Sequence, residues 1–233
     1  FTYDGEMKFV VPSPDPAWQF TPESVTNAVD AGTYDYAATP ISDNYKWVGS
    51  EAGHERDLYA TNWVIHPKPI TPPPVPTLIY NGENQIVLTE LDPAWTLALG
   101  SETNAIGAFT YDYTMILVSS DYVWAGVPTG TERDPLEVEW KILSKPVVPP
   151  ACTTNFVYNG ETRVAVDMEK VDLDVFDFTE DSRYEATDVG EYRYVLRLHN
   201  EEDFGQNYVW QVTNSNPYAD LVFDWSISQA SNA

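Results

Sequence analysis

Tyr3-Asp4-Gly5 stands near the start of this chain, and Tyr80-Asn81-Gly82 and Tyr158-Asn159-Gly160 repeat it 77 and 78 residues further on each time. Outward from that triplet the rest of the pattern also recurs. A strand with paired tyrosines follows each time: Tyr34 and Tyr36, Tyr111 and Tyr113, Tyr192 and Tyr194. Then comes Tyr-x-Trp, at Tyr45/Trp47, Tyr122/Trp124 and Tyr208/Trp210, and each copy closes on Trp-x-Ile, at Trp63/Ile65, Trp140/Ile142 and Trp225/Ile227. Asp15-Pro16-Ala17-Trp18 returns as Asp92-Pro93-Ala94-Trp95. Self-similarity of this period means tandem modules. They are expected at 1–66, 78–143 and 156–228, the last with an insertion near 200–206, joined by proline-rich linkers at 67–77 and 144–155.

The periodicity within each copy is two. Leu136, Val138, Trp140 and Ile142 share one face of a segment whose other face carries Glu137, Glu139 and Lys141; Leu221, Phe223, Trp225 and Ile227 alternate in the same way with Asp220 and Asp224. Such alternation marks half-buried antiparallel strands. The Asx-Gly dipeptides suit turns with φ > 0. The expected fold is therefore all-β: three tandem immunoglobulin-like β-sandwiches, elongated, with no helical segment. Modules of about 65–72 residues bury only about 60% of their unfolded surface. Aromatics supply the apolar area, with 8 Trp, 15 Tyr and 9 Phe. Proline favours polyproline II, so the linkers read as semi-rigid spacers.

Net charge is −24, spread over all three copies. Such a field repels nucleic-acid phosphates and anionic lipid, which excludes nucleic acid as a partner. No apolar run of membrane length occurs, so no direct membrane insertion is expected. The lone Cys152 lies in the second linker and rules out an intrachain disulfide. The chain is expected to be a monomeric fragment, with export signal and anchor outside it.

Asn27-Ala28-Val29-Asp30-Ala31-Gly32-Thr33-Tyr34, Asn44-Tyr45-Lys46-Trp47 and Trp63-Val64-Ile65, following Tyr3-Asp4-Gly5, resemble the bacterial immunoglobulin-like repeats of large exported proteins, chiefly of Gram-positive bacteria. The resemblance covers all three copies. Copy two departs at Phe109, where copy one has Gly32, and copy three lacks the Asp-Pro-Ala-Trp segment. The resemblance implies an extracellular, cell-surface location. It also implies a role as stalk or adhesive module, and it brings no catalytic residues.

Candidate sites are few. Trp18 and Trp95 follow Pro-Ala and could stack on a sugar, although residues repeated at fixed spacing ordinarily build a shared core. Asp203 and Phe204 lie in the insertion of copy three, where a loop that breaks the repeat would carry a grafted function. Asp172, Asp174 and Asp177 form a short acidic stretch that could hold calcium, but it lacks the glycine turn and terminal glutamate of a calcium loop. Otherwise no cofactor is expected. His54, His66 and His199 occupy unrelated positions, and no nucleophile motif or phosphate-cradling loop occurs, so the chain is not expected to be an enzyme. The expected role is a stalk projecting other domains from the cell wall. An adhesive module binding a host glycan or protein, through copy three above all, is the alternative, and a calcium-stiffened rod is a third reading.

Overall fold

The computed structural model describes residues 1–11, 15–200, 206–212 and 216–231. Among these residues the secondary structure is almost wholly β, with a single 3₁₀ turn at Met168–Lys170. The chain divides into two compact units. The first comprises Phe1–Pro74, Glu90–Gly100 and Thr114–Glu137; the second comprises Val75–Thr89, Ser101–Tyr113 and Val138–Ala233. All the boundaries but Pro74/Val75 fall inside the middle copy, so copy two contributes residues to both units.

In the first unit, Trp18–Phe20, Gly32–Pro40 and Tyr59–Ile65 form a three-stranded antiparallel sheet in that order. Lys8–Phe9 pairs separately with Asn27–Ala28. Register sets Tyr34 opposite Trp63, with ring centroids 5.0 Å apart. In the second unit, Asn155–Val157, Leu221–Ser228, Gly190–Leu198 and Phe176–Phe178 form a four-stranded sheet in that order. Its first pair is parallel and the others antiparallel. The alternation expected from sequence is present in it: Phe223, Trp225 and Ile227 face inward while Val222 and Asp224 face solvent.

Three interactions recur in every copy and explain why the repeated residues repeat. The Trp-x-Ile tryptophan donates its indole N–H to a backbone carbonyl: Trp63 to Val25 at 2.9 Å, Trp140 to Glu102 at 2.7 Å and Trp225 to Arg183 at 2.7 Å. The first paired tyrosine packs on that indole and donates its hydroxyl four residues back: Tyr34 to Asp30, Tyr111 to Gly107 and Tyr192 to Asp188. Each large apolar ring thus buries its area while its one polar atom stays bonded. In the opening turn, the side chain of Asp4, Asn81 or Asn159 accepts the N–H two residues on, and Gly5, Gly82 and Gly160 take φ of 85°, 82° and 82°. An L side chain rarely adopts that conformation, which fixes glycine at the third position of the triplet.

The segments read as semi-rigid proline-rich spacers are in part paired strands. Lys68–Ile70 and Lys145–Val147 are strands, each paired in parallel with the Tyr-x-Trp segment of the following copy. Cys152 is not a bare linker thiol either. It bridges to Val166 and packs half-buried against the copy-three core. The proline-rich composition misled here because Pro69 and Pro146 sit at the middle position of each three-residue strand, where a ladder donor is dispensable on an edge.

Candidate functional site

Asp121 and Asn207 are the buried polar side chains among the described residues, 8% and 6% exposed. Burying a carboxylate is costly unless it is hydrogen-bonded, so the partners of Asp121 matter. Its Oδ1 accepts the backbone N–H of Ala31, in copy one, at 2.7 Å. Its Oδ2 accepts the Ser119 hydroxyl at 2.9 Å. Its backbone carbonyl accepts the N–H of Lys68 at 2.7 Å, and the N–H of Ala125 donates back to the Ile70 carbonyl at 2.8 Å. Between these anchors Lys68–Ile70 runs parallel to Tyr122–Trp124. Tyr3 meets Tyr122 edge-on at 5.4 Å. Burial, and then the neighbouring Tyr122, raise the pKa of the Tyr3 hydroxyl. All of this lies within the first unit.

The second unit contains the same arrangement one repeat later. Asn207 Oδ1 accepts the N–H of Ala108 at 2.7 Å. The Asn207 carbonyl accepts Lys145 N–H at 2.8 Å, and Gln211 N–H donates to the Val147 carbonyl at 2.7 Å. Tyr80 meets Tyr208 edge-on at 5.3 Å. Lys145–Val147 runs parallel to Tyr208–Trp210. Ala31 and Ala108, Tyr3 and Tyr80, Lys68 and Lys145 occupy matching repeat positions, as do Asp121 and Asn207 on the receiving side. Trp124 and Trp210, which pair with Ile70 and Val147, are each 2% exposed. This is a joint between successive copies, built twice from the same parts. Asp and Asn are interchangeable in it because the invariant requirement is one side-chain oxygen for one backbone N–H.

The residues singled out from sequence are not brought together. Trp95 is buried in the core. Trp18 is half-buried, edge-on to Phe20 at 5.0 Å and 6.5 Å from Trp47. Asp203 and Phe204 lie outside the described residues. Asp172 turns inward on its own backbone and accepts the N–H of Asp174 at 3.1 Å. Asp177 sits on the Phe176–Phe178 strand and contacts His199 at 2.7 Å. Among the described residues no three His, Cys, Asp or Glu side chains gather as a metal site. The pockets found in the structure are open surface depressions; one of about 620 Å³, lined by Thr21, Glu23, Ser24, Asp35 and Tyr36 among others, carries no convergent catalytic group. The residues that sequence reading missed are Asp121, Asn207 and the two Lys-Pro-aliphatic strands. Their signal was present: Lys68-Pro69-Ile70 and Lys145-Pro146-Val147 recur at the repeat spacing.

No family model matches the chain, and no curated protein matches it. Among solved structures it is similar to the Bacteroides ovatus mixed-linkage glucan utilization locus protein SGBP-B, in complex with a mixed-linkage heptasaccharide. Identity is 13% and the TM-score 0.18, with 91% of this chain and 60% of that chain covered. The chain thus spans less than two thirds of that protein's length, and a likeness this slight carries no argument about fold or function.

Proposed function

We propose that this chain is a non-enzymatic spacer: three immunoglobulin-like modules whose repeated joints hold successive modules in a fixed relation, so that it projects other domains away from a bacterial cell surface. The observation that supports this reading is the joint made twice, with the same backbone and side-chain hydrogen bonds at Asp121 and at Asn207. A flexible tether needs no such bonds, and a catalytic centre needs no repetition. Stiffness, by contrast, requires that each junction be over-determined, and each one combines a parallel strand, a buried acceptor and an aromatic contact. The net charge of −24 keeps neighbouring stalks apart on a crowded surface.

Small-angle X-ray scattering tests the proposal. The expected profile is that of a rod, identical with calcium and with chelator. A compact profile would contradict the spacer, and a calcium-dependent one would favour the calcium-stiffened rod.

A further inference from the structure

Copy one contains the receiving half of the joint, and there it is exposed. Its matching residues are Asn44-Tyr45-Lys46-Trp47-Val48. Tyr45 is 44% exposed where Tyr122 and Tyr208 are half-buried, and Trp47 is half-buried where Trp124 and Trp210 are 2% exposed. The Val48 N–H has no hydrogen-bond partner among the described residues, while its counterparts Ala125 and Gln211 each donate to the carbonyl that ends the received strand. Tyr45–Trp47 is not a strand, although Tyr122–Trp124 and Tyr208–Trp210 are.

The scaffold behind this edge is nevertheless already set. Trp47 donates its indole N–H to Asp57 at 3.0 Å, as Trp124 does to Asp134 at 3.0 Å. The Trp47 amide donates to Glu55 at 2.7 Å, as Trp124 does to Glu132 at 2.7 Å. Glu55 accepts Gly53 N–H and Glu132 accepts Gly130 N–H, at 2.8 and 2.7 Å. Ser42 accepts the N–H of Asn44 just as Ser119 accepts that of Asp121. The loop is therefore held in its receiving geometry without a strand upon it, and a pre-organised edge loses less conformational freedom on binding.

We infer that Asn44–Val48 is a docking edge for the Lys-Pro-aliphatic segment that closes a further module of this same type. The segment adds in parallel across Tyr45–Trp47, with the Asn44 carbonyl accepting the lysine N–H and the Val48 N–H donating to the carbonyl of the aliphatic residue. The Asn44 side chain accepts a backbone N–H from the body of that module, and its opening tyrosine meets Tyr45 edge-on. Main-chain bonds supply the attraction and the aliphatic side chain the specificity, as in other strand additions. A second copy of this chain is not the occupant, because its own Lys68–Ile70 and Lys145–Val147 are already engaged. The inference rests on the joint that supports the spacer reading.

The test is a chain carrying a duplicate of residues 78–155 ahead of Phe1, compared with the unextended chain by amide hydrogen exchange. Val48 should gain at least tenfold protection in the extended chain, and Asn44→Ala should remove most of that gain. If Val48 stays unprotected while Ala125 and Gln211 remain protected, the docking edge is wrong and the spacer reading stands. If Ala125 and Gln211 also exchange freely, the joint itself fails and both fall. Protection of Val48 that rises with protein concentration in the unextended chain would mean that a second copy docks, and would overturn the inference.

Discussion

At the scale of single residues, the joint depends on one acceptor. Asp121→Ala takes the acceptor from the part-buried Ala31 N–H, which costs about 1–3 kcal/mol, while the exposed Ser119 hydroxyl can turn to water. Asp121→Asn should be tolerated, because Asn207 already performs the same service in the second unit. Urea denaturation of the two variants checks the difference. Tyr194 makes a separate prediction. Its ring is fully buried, its hydroxyl makes no hydrogen bond of good geometry, and burial first, then the nearby Cys152 thiol, push its pKa up from the usual 10.0. A group whose folded pKa lies above its unfolded value stabilises the fold below the unfolded value and loses that contribution as pH rises towards the folded one. The chain should therefore lose stability progressively above about pH 10. Tyr194→Phe should be nearly neutral at pH 7, since it deletes an unpartnered polar atom, and should flatten the alkaline decline. Thermal melts across pH 7–11 read both effects.

At the scale of elements, Lys68–Ile70 and Lys145–Val147 decide whether neighbouring copies are coupled. Lys68→Pro removes the N–H that Asp121 accepts, whereas Pro69 beside it costs nothing. The expected loss is about 1–3 kcal/mol, and it should appear as faster hydrogen exchange at Ala125, the far end of the same strand pair. These strands also mark the limit of what was legible in sequence. Long segments such as Gly190–Leu198 and Leu221–Ser228 declare themselves, because alternation over eight or nine residues separates a buried face from a wet one. A three-residue strand with a central proline carries no period, and its partner lies more than fifty residues away. Nothing in the sequence separates Asn44, Asp121 and Asn207, each just before Tyr-x-Trp, from exposed polar residues, and only the fold shows that two of them are buried. Trp18 and Trp95 match in sequence yet differ in burial, so sequence alone could not rank them as ligand platforms.

At the scale of the molecule, repetition is the main clue to function. The core bonds of Trp63, Trp140 and Trp225 make each copy alike, and the bonds of Asp121 and Asn207 make each junction alike. Like charge throughout the chain opposes compaction, so raising NaCl from about 10 to about 300 mM should raise the melting temperature as that repulsion is screened. Distances between spin labels on adjacent copies report directly on the joint. Labels at Ser50→Cys and Thr129→Cys, in a Cys152→Ser background, place one probe on an exposed loop of copy one and one on copy two. A narrow distance distribution that broadens on Asp121→Ala is the result expected of a fixed joint. A broad distribution in the chain with Asp121 intact would show that the copies move independently, and would contradict the spacer as described.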